Sequence, residues 1–180
     1  MGMTRVFYFV KKNQLTPENI HKKLKGATVL GAQSFSVFYQ TNKDWLPVFD
    51  AYYCEGQYNA DKEFMVSLEE LFGAPVIALA TFDSDVAFVS IYESGELHCY
   101  VHADEFMLEE FGFEEYESMI PTELKNYVDG EELQKIWDGE YIFAEDLLQD
   151  IANSLNTFLV FDENEAEENV EVITGNQTRR

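Results

Sequence analysis

The stretch "PVIALATFDSDVAFVSIYESGELHCYVH" (residues 75–102) decides the fold. It contains three apolar runs rich in β-branched and aromatic residues, and the short polar breaks "DSD" and "ESGE" separate them. Breaks of this length and composition are typical of tight turns between antiparallel strands. The sequence therefore predicts a three-stranded antiparallel meander. Because "VIALA" is apolar on both faces, we expect its strand to be buried in the middle of the sheet.

Further strands are predicted on both sides of this meander. The β-branched and aromatic runs "RVFYFV" (5–10), "SFSVFYQ" (34–40) and "TFLVF" (157–161) each favour an extended chain. The stretch 45–58 fits neither a strand nor a helix clearly.

Helices are predicted where a capping residue precedes apolar residues at helical spacing. Thr16 precedes one such segment and Asp104 another, while Pro121 opens "PTELKNYV". Helical patterns also occur in "DKEFMVSLEELFGAP" (61–75) and "EELQKIW" (131–137), and the clearest is "YIFAEDLLQDIANSLN" (141–156), whose apolar stripe starts at Phe143. Early strands, a central meander and late helices predict an α+β fold. We expect an antiparallel sheet with the meander at its centre and helices packed mainly on one face.

The chain length favours one domain, since splitting 180 residues would leave two poorly buried cores. We assign residues 1–161 to a single α+β domain. From residue 162 onward an acidic run leads into "TGNQTRR", and this composition predicts a flexible acidic tail at 162–180.

The net charge of −22 is distributed unevenly along the chain. Residues 1–45 carry seven of the twelve Lys and Arg residues and two acids, whereas residues 46–180 carry the other five and 32 acids. A negative field repels phosphate backbones and anionic lipids and attracts basic proteins. We therefore expect a basic protein partner, with no direct nucleic-acid or membrane binding. The alternative is that the charge serves solubility alone.

The N-terminal sequence and the cysteines predict a reduced, cytoplasmic protein. "MGMTRVFYFV" lacks the apolar stretch of a signal peptide, and no run approaches the roughly 20 residues that span a bilayer. Cys54 and Cys99 are too few for a disulfide framework.

Asp83 and Asp85, two residues apart in the first break of the meander, have two interpretations. Asp and Ser hydrogen-bond their own backbone and tolerate tight dihedral angles, which favours a simple turn. Two carboxylates at this spacing could instead share a divalent cation in a metal-dependent enzyme. Hard cations need several oxygen ligands, and Asp85 is followed by no Asp, Asn or Glu within seven residues. The turn is favoured, and the metal site stays open.

Other patterns that resemble enzyme sites are weaker. His98 and His102 in "LHCYVH" would lie about 13 Å apart along a strand, too far for one zinc ion, and Cys99 would point to the opposite face. A pair of Cys54 with His21 or His98 is only a combinatorial possibility. The chain has no Gly-x-Ser-x-Gly, glycine-rich phosphate loop or His-Glu-x-x-His. We therefore expect no enzyme activity, cofactor or metal.

Aromatic residues cluster next to acids between positions 44 and 58. Tyr and Trp beside carboxylates suit an interface that receives basic side chains, because their rings supply contact area at low entropic cost. Packing at the margin of the core is the alternative. The cluster comprises Trp45, Phe49, Tyr52, Tyr53 and Tyr58, with the acids Asp44, Asp50 and Glu55.

The stretches "TFDSDVAFVSIYESGELHCYV" (81–101) and "YIFAEDLLQDIANSLN" (141–156) resemble small acidic bacterial immunity proteins of polymorphic toxin systems. The likeness covers about residues 75–156: an apolar strand, an Asp-x-Asp loop, a second strand with an acid–Gly turn and a late "FAEDLL"-like helix. The resemblance implies an intracellular antidote that blocks a toxin by binding it, with no catalytic residues.

Together these features predict a non-enzymatic acidic protein, most simply an immunity protein that covers the active site of a basic toxin. The alternatives are a DNA mimic that inhibits a nucleic-acid-binding protein and a metal-dependent enzyme that uses the loop aspartates. The expected partner-binding residues are Asp83, Asp85, Glu93, Glu96, Asp104, Glu105, Glu109 and Glu110, with the aromatic residues Trp45, Tyr52 and Tyr53.

Overall fold

The computed structural model describes residues 2–25, 27, 35–116, 118–164 and 167–175. It shows an α+β fold built on a seven-stranded antiparallel sheet with the strand order β6-β5-β4-β1-β3-β2-β7. The strands are β1 (Arg5–Lys11), β2 (Ser36–Tyr39), β3 (Trp45–Phe49), β4 (Val76–Phe82), β5 (Val86–Glu93), β6 (Glu96–His102) and β7 (Glu171–Thr174). The helices are α1 (Pro17–Leu24), α2 (Ala51–Cys54), α3 (Lys62–Phe72), α4 (Glu105–Phe111), α5 (Gly130–Trp137) and α6 (Ala144–Ser154), with a 3-10 helix at Thr122–Asn126.

The predicted meander is confirmed as β4, β5 and β6, but it forms one side of the sheet, with β6 at the edge, and the middle strand is β1. Val76–Phe82 pairs with Val86–Tyr92 over seven positions, and β6 continues the pairing on the other side of β5. β4 lies inside the sheet between β5 and β1, and its first six residues are buried. Two-sided burial explains why "VIALA" is apolar at every position.

The helices lie on both faces of the sheet, not mainly on one. Alternate residues of β1 point to opposite faces: Val6 and Tyr8 join a core with α1, α3 and α4, and Phe7 and Phe9 join a second core with α5 and α6. A sheet whose inner strands are apolar on both faces needs cover on both, because water would otherwise contact one of them.

The C-terminal stretch is not a free tail throughout. β7 (Glu171–Thr174) pairs with β2, and Ile173 opposes Val37 with its side chain fully buried. The apolar residues of "VEVIT" form an edge strand. The sequence did not predict this strand, because the acids around it resemble those of a flexible tail. Residues 165–166 and 176–180 of the predicted tail lie outside the described residues.

The strand predicted at 157–161 is wrong. The segment follows α6 and contacts the sheet through side chains: the Thr157 hydroxyl donates to the Trp45 carbonyl (2.8 Å), and the Phe161 ring lies 5.1 Å from that of Phe7. β3 is already paired with β1 on one side and β2 on the other, so no free strand edge is available there.

The buried position of Ile173 gives a test of the C-terminal strand. We expect Ile173→Ala to lower the free energy of unfolding by about 2–4 kcal/mol, since it leaves a cavity in the core. Val172→Ala, at a half-buried neighbour, should cost less than about 1 kcal/mol. Urea unfolding of both variants measures the difference. An unchanged free energy of unfolding for Ile173→Ala would show that this stretch is not part of the sheet.

Candidate protein-binding surface

The loop between β4 and β5 is a tight hairpin turn, as predicted. Asp83 and Ser84 both have positive φ angles, 50° and 62°, and the Asp85 N–H donates to the Phe82 carbonyl at 3.1 Å. Two central residues with positive φ match the twist of antiparallel strands, and Asp tolerates this region better than most residues.

The turn is held from two sides. The Asp83 carboxylate accepts the Gly2 N–H at 2.5 Å, and the Ser84 hydroxyl accepts the Met3 N–H at 2.7 Å and donates to the Glu145 carboxylate at 2.9 Å. The Ala144 N–H donates to the Ser84 carbonyl at 2.7 Å. Asp83 is therefore half-buried and engaged within the chain, whereas Asp85 is exposed to solvent.

Helix α4 lies at the same end of the sheet. β6 ends at His102, opposite Ala87 in the second position of β5. Asp104 caps α4 by accepting the Met107 N–H at 2.9 Å, and the Phe111 ring lies 5.0 Å from the Phe82 ring beside the turn. The hydrogen bonds of Ser84 to Ala144 and Glu145 place the start of α6 at this end of the sheet as well. We call this set of residues the acidic corner: Asp83, Asp85, Asp104, Glu105, Glu109, Glu110, Glu140, Glu145 and Asp146.

Exposed apolar side chains accompany the acidic corner. Phe106 on α4 is 67% exposed, and Ile142 and Phe143, just before α6, are 84% and 52% exposed. Tyr52 on α2 is also exposed, and α2 is tied to this end because the Gly56 N–H donates to the Thr4 carbonyl while the Thr4 hydroxyl accepts the Asp83 N–H. Apolar anchors within a polar rim are the usual composition of a protein interface.

Two predicted aromatic contacts are corrected by the structure. Trp45 is 1% exposed, and its ring contacts Tyr127 edge-on at 5.0 Å. Tyr53 is 6% exposed and stacks on Phe64 with ring centroids 4.1 Å apart. Both side chains belong to the core, so neither can contact a partner directly. Of the three aromatic residues expected to bind the partner, Tyr52 alone is exposed.

Two predicted acids lie elsewhere. Glu93 and Glu96 oppose each other at the β5–β6 turn, which is at the other end of the sheet from the β4–β5 turn. The hairpin connectivity requires this separation, because consecutive turns of a meander alternate between the two ends. The remaining six predicted acids, from Asp83 to Glu110, are brought together.

The carboxylates of the acidic corner are not neutralised by lysine. Among the residues that the structure describes, no ion pair joins a lysine to a carboxylate of the acidic corner, and Arg5 lies 3.9 Å from Glu55, which is outside the corner. Lys11 and Lys12 sit at the opposite end of the sheet, where their backbone N–H groups donate to Pro75 and Asp44. The negative potential at the corner is therefore largely uncompensated at short range.

The histidines and cysteines of the predicted alternatives have other partners. On β6, His98 Nδ1 lies 3.4 Å from a Glu123 oxygen, and His102 Nε2 bonds the Trp137 carbonyl at 2.9 Å. His21 lies 3.6 Å from Glu171. Across the described part of the chain, no group of three or more His, Cys, Asp or Glu residues is arranged to hold a metal ion.

Cys54 is poorly suited to act as a nucleophile. Its side chain is buried, and this burial raises the pKa of the Cys54 thiol to about 12. The thiolate is the reactive form, so the group is inert near neutral pH.

The two cysteines should react at very different rates. Cys99 is only half-buried, so we expect one thiol per chain to react with Ellman's reagent in the native protein and the second only after denaturation. Cys99→Ser should abolish the fast reaction, and Cys54→Ser should leave it intact. Fast reaction of both thiols in the native wild type would contradict the buried position of Cys54.

The sequence did not predict that Phe106, Ile142 and Phe143 are exposed. It also did not predict that Glu140, Glu145 and Asp146, before and at the start of α6, belong to this surface. Phe143 was predicted on the buried stripe of the helix, but it occupies the N-cap position, where its side chain points partly to solvent. The missing Ser, Thr or Asp at the helix start was the signal that could have revealed this.

Comparison of the chain with protein-family models, with curated proteins and with solved structures found no match. None of the described helices combines the length and the apolar composition needed to cross a bilayer.

Proposed function

We propose that this chain is a non-enzymatic cytoplasmic binding protein whose acidic corner docks onto a basic protein, and that this partner is a toxin whose active site becomes covered. The observation that carries the proposal is that the β4–β5 turn, α4 and the start of α6 lie at one end of the sheet and carry nine Asp and Glu residues together with exposed apolar side chains.

Charge explains the class of partner. Nucleases and other toxins that act on polyanions have basic clefts, and a surface rich in carboxylates is steered onto such clefts at high association rates. The exposed apolar residues then supply the short-range contacts that slow dissociation, which charge at the rim of an interface does not.

The proposal is tested by affinity capture with the full chain as bait, followed by reconstitution. We expect a basic polypeptide that elutes when salt is raised, inhibits growth when expressed alone and is tolerated when this chain is co-expressed. A captured protein that binds regardless of salt, or that is harmless when expressed alone, would contradict the proposal. Competition by duplex DNA for a DNA-binding partner would indicate a DNA mimic instead.

A further inference from the structure

Helix α6 starts without the capping side chain that the other α-helices of the described chain have. Helices α1 to α5 begin after Thr16, Asp50, Asp61, Asp104 and Asp129, and in each case the side chain accepts a backbone N–H of the first turn. Helix α6 begins after Phe143, which makes no such bond. A helix start without a side-chain acceptor is less stable than one capped by Ser or Asp.

Ile142 and Phe143, which precede the helix, gain little stability from burial. Ile142 is 84% exposed and Phe143 is 52% exposed, so most of their apolar surface remains in water. The segment is nevertheless held in place, because the Ala144 N–H donates to the Ser84 carbonyl and Glu145 accepts the Ser84 hydroxyl. An anchored segment that exposes two large apolar side chains, where the other helix starts carry a capping residue, points to selection for function.

We propose that Ile142 and Phe143 form an apolar anchor that inserts into an apolar pocket within the basic surface of the partner. This inference rests on the proposed function and names the contact that gives it affinity. Exposed Glu140, Asp146 and Asp85 flank the pair and would face basic side chains around that pocket. A second copy of this chain is a poor occupant, since each copy has a net charge of −22 and would bring the same carboxylates to the contact.

The pair has the properties of a binding hot spot. It combines a large aromatic and a large aliphatic side chain at the start of an anchored helix. Charged residues surround the pair, as they do around the apolar centre of many interfaces. Its contribution should appear in the dissociation rate, whereas the surrounding carboxylates should act on the association rate.

The experiment uses the full chain with the photo-cross-linking residue p-benzoylphenylalanine at position 143, at position 85 and, as a control, at Met119, which is 51% exposed and lies outside the acidic corner. Irradiation in cells should give an adduct with a basic protein from positions 143 and 85 and none from 119. The adducted protein is then produced separately, and its affinity is measured for Ile142→Ser, Phe143→Ser and Met119→Ser.

We expect each anchor variant to lose at least about tenfold in affinity and the double variant about 30-fold or more, mainly through faster dissociation, with Met119→Ser within threefold of the wild type. Ile142→Ser keeps the test valid if Phe143→Ser alters the fold, because Ile142 lies outside the helix. Binding that both anchor variants leave unchanged would overturn the inference, as would an adduct with a second copy of this chain.

The two failures can be told apart. Adducts from position 85 but none from position 143 would overturn the apolar anchor and leave the acidic docking surface supported. Absence of adducts from both positions would overturn the anchor and the proposed function together.

Discussion

Reversing two charges at the acidic corner should slow association with the captured partner by about 100-fold at low ionic strength. The variant is Asp85→Lys with Glu109→Lys, both exposed and at the same end of the sheet. Each reversal replaces an attraction with a repulsion along the approach path of a basic protein. Because such rim charges act before contact, the dissociation rate should change much less.

A matched variant controls for net charge. Glu70→Lys with Glu96→Lys changes the overall charge by the same amount, but Glu70 lies in the last turn of α3, just before β4, and Glu96 at the β5–β6 turn. Both are at the end opposite the corner. Stopped-flow or biosensor measurement should show association within about threefold of the wild type for this control. Equal slowing by both variants would show that total charge, not the corner, governs binding.

Tyr53→Ala should lower the free energy of unfolding by about 3–5 kcal/mol, whereas Tyr52→Ala should cost less than about 1 kcal/mol. The residues are neighbours in sequence and identical in type, but Tyr53 stacks on Phe64 in the core and Tyr52 is 63% exposed. Urea unfolding monitored by circular dichroism measures the difference.

The same pair separates structural from binding effects. Tyr52→Ala should weaken partner binding while preserving stability, because the exposed ring lies at the same end of the sheet as the acidic corner. Tyr53→Phe should retain most of the wild-type stability, since it keeps the stacked ring. Similar stability losses for Tyr52→Ala and Tyr53→Ala would contradict the burial that the structure assigns to them.

Local patterns predicted the elements of the fold well where turn and cap chemistry agreed. The meander followed from "DSD" and "ESGE", and Thr16 and Asp104 cap α1 and α4 as expected. Sheet order and the two-sided cover did not follow, because they depend on contacts between distant segments. The apolar pattern of "VIALA" on both faces of its strand is the one local sign of cover on both faces of the sheet.

The candidate surface was predictable only in part for the same reason. Asp85 and the α4 acids are close in sequence, and the hairpins bring them together. Glu93 and Glu96 were included because they share the meander, although alternating turns place them at the other end. Trp45 and Tyr53 were wrongly predicted to be exposed, because an aromatic residue beside acids has the same local sequence pattern whether it faces the core or solvent. The contribution of Glu145 depended on a bond to Ser84, 61 residues away.

The most direct measurement is a hydrogen-exchange footprint of the chain with and without its purified partner. Docking at the acidic corner predicts slower exchange in the partner-bound chain at residues 82–86, 104–111 and 141–146, and unchanged exchange around Lys12, Lys43 and the β5–β6 turn. Protection confined to that opposite end, with the corner exchanging as in the free chain, would contradict the account.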